Sequence, residues 1–236
     1  MRFFLVISFL FLGFTGAGLW ACRTPETTPI SPETRLGHDF FPLETGRFVE
    51  YDVSEIQYSL VAVPTTMSYQ LKEVTGEAFV NAEGLPSYRL ERYRRGSAAQ
   101  PWRLDSVWTA RRETARAIRT ENNIAYVKLF FPVQEGSRWN GNALNVYGKS
   151  EYEIRRLDQP LTINGQVFDR TLTVVQRADS SLVSLARRTE QYARTVGLIY
   201  KETTQLYYCN TPDCLGKGKI DFGTQKIYRV RAYGKE

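Results

Sequence analysis

The sequence predicts an all-β domain of antiparallel strands behind an export signal. Three observations predict it: apolar and polar side chains alternate at a period of two, turn residues recur at short intervals, and the chain holds 14 Tyr and 13 Phe against only 2 Met. Aromatic and β-branched residues fit a pleated, half-buried surface. The expected arrangement is an antiparallel meander forming a curved sheet, half-barrel or open barrel, with an N-terminal signal helix and few other helices.

Met1 is followed by Arg2, an apolar run from Phe3 to Phe14 interrupted only by Ser8 and Gly13, and the small residues Thr15-Gly16-Ala17-Gly18. That order matches an export signal. Leu19-Trp20-Ala21-Cys22 resembles the lipobox of bacterial lipoproteins, although Trp20 is bulkier than the residue usual there. The resemblance implies a signal peptide at 1–21, cleavage before Cys22, acylation of the Cys22 thiol and a lipid bilayer as partner. Phe3 to Ala21 holds no charge and nearly spans a bilayer, so a retained membrane anchor is the alternative. Acyl chains, at about 0.8 kcal/mol per buried CH₂, anchor a chain without a spanning helix. Residues 22–37 carry Pro25, Pro29, Pro32 and four threonines, which predicts a flexible tether too poor in apolar surface to fold alone. Arg23-Thr24 resembles neither the inner-membrane retention signal nor the surface-export signal of lipoproteins, which implies an outer-membrane anchor facing the periplasm.

Residues 38–236 have the length of one large domain. Met67-Tyr69-Leu71 alternates with Ser68-Gln70-Lys72, and Trp102-Leu104-Ser106-Trp108-Ala110 alternates with Arg103 to Arg111, both at strand period. Asn164-Gly165 between Ile163 and Gln166 predicts a tight hairpin, because a type I′ turn needs positive φ at both central residues. Further turns are expected at 81–84, 121–123 and 195–197. Ser184 to Ala193 reads as a helix or a strand. Phe40-Phe41-Pro42-Leu43-Glu44-Thr45-Gly46 is echoed by Phe130-Phe131-Pro132-Val133-Gln134-Glu135-Gly136. Each copy reads as a turn feeding a strand, by duplication or by coincidence.

Phe41-Pro42-Leu43, Gly46, Phe48 and Tyr51 together resemble a motif near the mature N-terminus of uncharacterised bacterial lipoproteins, especially from Bacteroidetes, with Phe48 standing where Trp is usual. Tyr88 to Tyr93, Trp102 and Val196 to Glu202 resemble later segments of that group. The resemblance implies an antiparallel β domain, a curved sheet or half-barrel of the lipoprotein-carrier kind, and no established activity.

Without Arg2 the chain keeps 30 basic and 25 acidic residues, a net of +5, and no basic run exceeds two residues. That spread argues against nucleic acid as a partner. His38 is the only histidine and is expected to sit exposed at the end of the tether. No Gly-x-Ser-x-Gly elbow, phosphate loop, His-Glu-x-x-His or calcium loop occurs. Glu151 and Glu153 share a strand face, a pattern usual for solvated acids. The reading is therefore a non-enzyme with no cofactor and no metal. Cys209 and Cys214 flank Thr211-Pro212-Asp213 and predict a local disulfide in an oxidising compartment, worth about 2 kcal/mol for so small a loop; a zinc site would lack ligands.

Two functions fit. One is a non-catalytic binding module for an apolar or amphipathic ligand or an envelope protein, at an aromatic face near Trp102, Trp108 and Tyr93 with Arg92, Arg94 and Arg103 as a basic rim. The other is a structural or assembly lipoprotein of an outer-membrane complex whose aromatics are core. A large cavity favours the first and a filled core the second.

Overall fold

The computed structural model describes residues 31–236, so the signal segment 1–21, Cys22 and the tether up to residue 30 lie outside the described residues. Twelve strands follow one another: β1 (Arg47–Tyr58), β2 (Thr65–Val80), β3 (Pro86–Arg95), β4 (Arg103–Arg112), β5 (Arg116–Glu121), β6 (Ile124–Phe130), β7 (Arg138–Asn140), β8 (Glu151–Ile163), β9 (Gln166–Ser180), β10 (Ser184–Ala193), β11 (Gly197–Tyr208) and β12 (Ile220–Lys235). Nearly every strand pairs antiparallel with its sequence neighbour, and β12 returns to pair with β1, giving the order β6-β5-β4-β3-β2-β1-β12-β11-β10-β9-β8-β7. Alternation puts Tyr51 opposite Leu71 and Val53 opposite Tyr69, all four buried in one apolar cluster. The expected meander is therefore present, and Ser184–Ala193 is a strand paired on both sides.

The two sheet edges approach each other. The Val127 N–H donates to the Gly141 carbonyl at 2.9 Å, Trp139 Nε1 to the Val127 carbonyl at 2.8 Å and Asn145 Nδ2 to the Ala125 carbonyl at 2.8 Å. These bonds satisfy groups on the exposed flank of β6 and bring the sheet nearly to a closed barrel, which protects an otherwise open edge. The expected turns form as well: Asn164 and Gly165 have φ of 49° and 77°, and Asn122 and Asn123 have φ of 50° and 65°.

The barrel divides into two six-stranded meanders, β1–β6 and β7–β12, and each follows one copy of the Phe-Phe-Pro motif. Both copies cover the same barrel end, here called the floor. Phe40 and Phe41 of one and Phe131 and Val133 of the other are buried in a single cluster with Trp108, Trp139, Tyr152 and Tyr192. The Val133 N–H donates to the Leu36 carbonyl at 3.0 Å. A Cβ on Gly37, whose φ is +83°, would lie 2.2 Å from Val133, so only glycine lets the two segments meet.

Residues 31–37, the end of the expected tether, fold onto this floor. Helix α1 (Pro32–Leu36) is capped by Ser31, whose Oγ accepts from the Thr34 N–H at 3.2 Å, and ends at the left-handed Gly37. His38 departs from its expected exposure and is only 9% exposed. Its ring meets Phe131 edge-on at 4.5 Å, with Nε2 3.2 Å from the Thr114 carbonyl. The physical reason is its neighbours: burying Phe40 and Phe41 pulls the preceding turn into the barrel mouth. Arg194 fastens that turn through Asp39 at 2.7 Å, the Thr34 carbonyl at 2.9 Å and the face of Phe40 at 4.3 Å.

The long β8–β9 hairpin bends where Arg156 and Asp158 take φ of 56° and 55°. Its end lies against β12, with Asn164 Nδ2 donating to the Val230 carbonyl at 3.0 Å and Gln166 Nε2 to the Arg231 carbonyl at 2.7 Å. A second apolar cluster, including Ile163, Phe168, Ile199 and Val230, packs there. Among the described residues, no helix is long and apolar enough to cross a membrane.

Candidate functional site

Above the apolar floor the barrel interior is ionic. Inward positions of six strands supply Glu73 (β2), Arg92 (β3), Arg119 and Glu121 (β5), Lys128 (β6), Glu190 (β10) and Lys201 (β11). Arg119 pairs with Glu73, and Arg92 Nε lies 3.5 Å from the same carboxylate. Lys128 joins Glu190 at 2.6 Å and Glu121 at 3.3 Å, and Lys201 reaches both carboxylates at 3.3 Å. Tyr192 donates its hydroxyl to Glu190 at 2.7 Å. Trp108 stands between two guanidiniums, Arg92 at 3.6 Å and Arg119 at 4.8 Å from its ring, and donates Nε1–H to Asn122 at 3.2 Å. The sequence carries this signal in Tyr69-x-Leu71-x-Glu73-x-Thr75 and Ala117-x-Arg119-x-Glu121, where a charge falls on the apolar beat of a strand.

The electrostatics make these ions fixed. Burial opposes ionisation of Glu121 and Glu190, but Lys128 and Lys201 outweigh it and hold both carboxyls below the usual range. Burial likewise opposes the charge on Lys128, and Glu121 and Glu190 overcome it and raise its pKa. Burial pushes the Tyr51 and Tyr192 hydroxyls well up and the Tyr152 hydroxyl up to about 12. Such a lattice braces facing strands, because opposite charges from different strands meet in it, while Arg92 Nε and Arg119 Nε are buried without a hydrogen-bond partner.

Little room remains around it. A cleft of about 60 Å³ runs between Phe41, Leu43, Phe48 and Leu198 to Arg119 and Glu73, and a void of about 10 Å³ lies beside Trp108. Spaces of that size hold water, whereas ligand pockets measure roughly 300–1,000 Å³.

The residues singled out from the sequence separate. Arg92 and Trp108 belong to the lattice. Tyr93 turns to the opposite face and donates its hydroxyl to Glu91 at 2.6 Å. Arg94 lies over Tyr69 at 3.8 Å and pairs in register with Arg103. Trp102 is covered by Arg95, 4.0 Å from its ring. Arg94 and Arg103 do come together, in an open depression of about 400 Å³ that also takes in Arg95, Gln100 and Asp105. Arg95 carries no sequence signal of its own, since an arginine beside Arg94 on an alternating strand reads as outward-facing.

Cys209 and Cys214 are joined in a disulfide, with Cα atoms 5.8 Å apart, and the Cys209 N–H donates to the Lys219 carbonyl at 2.8 Å across the β11–β12 loop. Glu151 and Glu153 share Arg138 as their partner at 3.2 and 3.5 Å. Among the described residues, no group of three or more His, Cys, Asp and Glu side chains is placed to hold a metal ion. No family model, curated protein or solved structure matches the chain.

Proposed function

We propose that the chain is a membrane-anchored envelope lipoprotein, held through acylated Cys22, whose β domain is a non-catalytic binding module that engages its partner outside the barrel. The observation that carries this reading is an open basic depression of about 400 Å³ at Arg94, Arg95 and Arg103, outside an interior with about 60 Å³ left at the ionic lattice. Three arginines in one depression, with Arg95 over the half-buried Trp102 beside it, suit an amphipathic anion or an acidic surface. The filled interior also favours a second reading, an assembly lipoprotein with no small ligand.

Photo-crosslinking in cells tests the first reading. A crosslinker at Leu104, beside the depression, should give adducts, and one at Val80, at the floor end, should give none. Adducts from Val80 alone would overturn it. The anchor is tested separately: a fatty-acid analogue should label the wild type and spare Cys22→Ser.

A further inference from the structure

We propose that the depression at Arg94, Arg95 and Arg103 is a binding site for a phosphate monoester group, an inference that rests on the binding-module reading and names the chemistry of its ligand. Arg94 and Arg103 are paired directly across β3 and β4. Directly opposed residues on antiparallel strands stand roughly 5 Å apart at Cβ, and like charges so placed repel. Among the described residues, none of the three arginines is ion-paired with a carboxylate. The register of β3 and β4 shifts between Arg92 and Tyr93, which leaves Asp105 as an extra residue on β4. Such a bulge re-aims side chains, so the successive residues Arg94 and Arg95 both line one depression of about 400 Å³.

Two of the guanidiniums are held by their faces, which leaves their edges free. Arg94 lies over Tyr69 at 3.8 Å and Arg95 over Trp102 at 4.0 Å. Arg95 donates Nε–H to Gln70 Oε1 at 2.7 Å and keeps its terminal N–H groups. Among the described residues, neither Arg94 nor Arg103 donates a side-chain hydrogen bond, so each offers the full planar fork of five N–H donors. The acids nearby are engaged elsewhere. Asp105 is the acid in the lining, and its Oδ2 accepts the Ser106 hydroxyl at 3.0 Å and lies 3.9 Å from Arg92. On β1, two strands away, Glu55 pairs with Lys226 at 3.0 Å, and Asp52 accepts from the Gln70 amide at 3.2 Å and lies 3.6 Å from Arg231.

Charge and donor geometry choose the ligand. Three arginines against Asp105 give the lining a net charge of +2. A phosphate monoester carries about −1.5 to −2 charge and three strong acceptor oxygens, which answers both the charge and the three forks. A carboxylate answers neither, because one fork–fork pair uses both its oxygens and leaves the remaining guanidiniums opposed. The depression is larger than a phosphate, and Pro101 and Leu104 in the same lining offer apolar surface to the organic part of the ester.

Isothermal titration calorimetry of the purified protein with inorganic phosphate and phenyl phosphate, at constant ionic strength, tests the proposal, with benzoate as the carboxylate control. Both phosphates should bind at one site, and benzoate at least about tenfold more weakly. Arg103→Gln should weaken phosphate binding at least about tenfold, the loss expected for a charge-assisted hydrogen bond. The same change should leave the melting temperature unchanged or higher, because it relieves the opposed charges. Arg89→Gln, which alters an exposed arginine elsewhere on β3, should bind like the wild type. Glycerol phosphate and a short-chain phosphatidic acid, used as competitors, separate the sources of the group. Displacement of phenyl phosphate by both supports a site for any phosphate monoester, and displacement by the lipid alone supports a headgroup site. No saturable binding of either phosphate, benzoate bound as tightly, or an unchanged affinity in Arg103→Gln overturns the proposal. Protein adducts at Leu104 in cells together with no phosphate binding would remove the phosphate and leave the binding module standing.

Discussion

Arg194 shows how one side chain can fix the chain's entry into a barrel. It links Asp39 and the Thr34 carbonyl on the N-terminal segment to Asp158 at 3.0 Å on the bent β8, while lying over Phe40. Arg194→Ala should destabilise the domain by about 2–4 kcal/mol, because it strands the partly buried Asp39 carboxylate and uncovers Phe40. Denaturant unfolding would measure it, and an unchanged midpoint would mean the floor holds without this link. Lys128→Met should cost about 3–5 kcal/mol, since it leaves Glu121 and Glu190 with only Lys201 and Arg119 for company. The pH response has a definite sign. Glu121 and Glu190 have folded pKa values below their unfolded ones, so their contribution is full above the ordinary carboxylate range and is lost as pH falls below about 4. Lys128 is raised, so its contribution holds below its ordinary value near 10.4 and is lost as pH climbs beyond that. Thermal melts should therefore drop steeply in acid in the wild type and less steeply in Lys128→Met. At this scale the sequence was only partly legible. Arg92, Tyr93 and Arg94 look like one basic-aromatic cluster in a line of text, but a period of two puts the middle one on the other face. Charges on the apolar beat, such as Glu73 and Arg119, announce an ionic interior, yet their partners come from strands tens of residues away.

Elements were read more easily, because local chemistry sets them. Asn164-Gly165 carries its own turn, and Asn164→Val should cost about 1–2 kcal/mol through the left-handed conformation alone, together with the lost bond to the Val230 carbonyl. A urea midpoint equal to the wild type would show the turn adapts. Reduction of the disulfide, or Cys209→Ser with Cys214→Ser, should cost about 2 kcal/mol while leaving strand content intact by circular dichroism. Ser184–Ala193 could not be decided locally, since its residues serve a helix or a strand equally; pairing with β9 and β11 decides it. The three-residue β7 and the seam bonds around Val127 were illegible, because neither has a repeating pattern long enough to register.

For the molecule as a whole, the echoed Phe-Phe-Pro motif proves to mark the start of each six-stranded half, and both copies converge on one floor. The claim that joins these features is that the barrel is filled and binds on its outside. Native mass spectrometry of the protein, purified gently from the cells that express it, tests it most directly. A filled barrel predicts a mass free of interior ligand, with any anionic adduct removed by Arg95→Glu and Arg103→Glu. A one-to-one acyl-ligand adduct that survives those changes and disappears in Trp108→Phe would place the ligand among the ion pairs and contradict it.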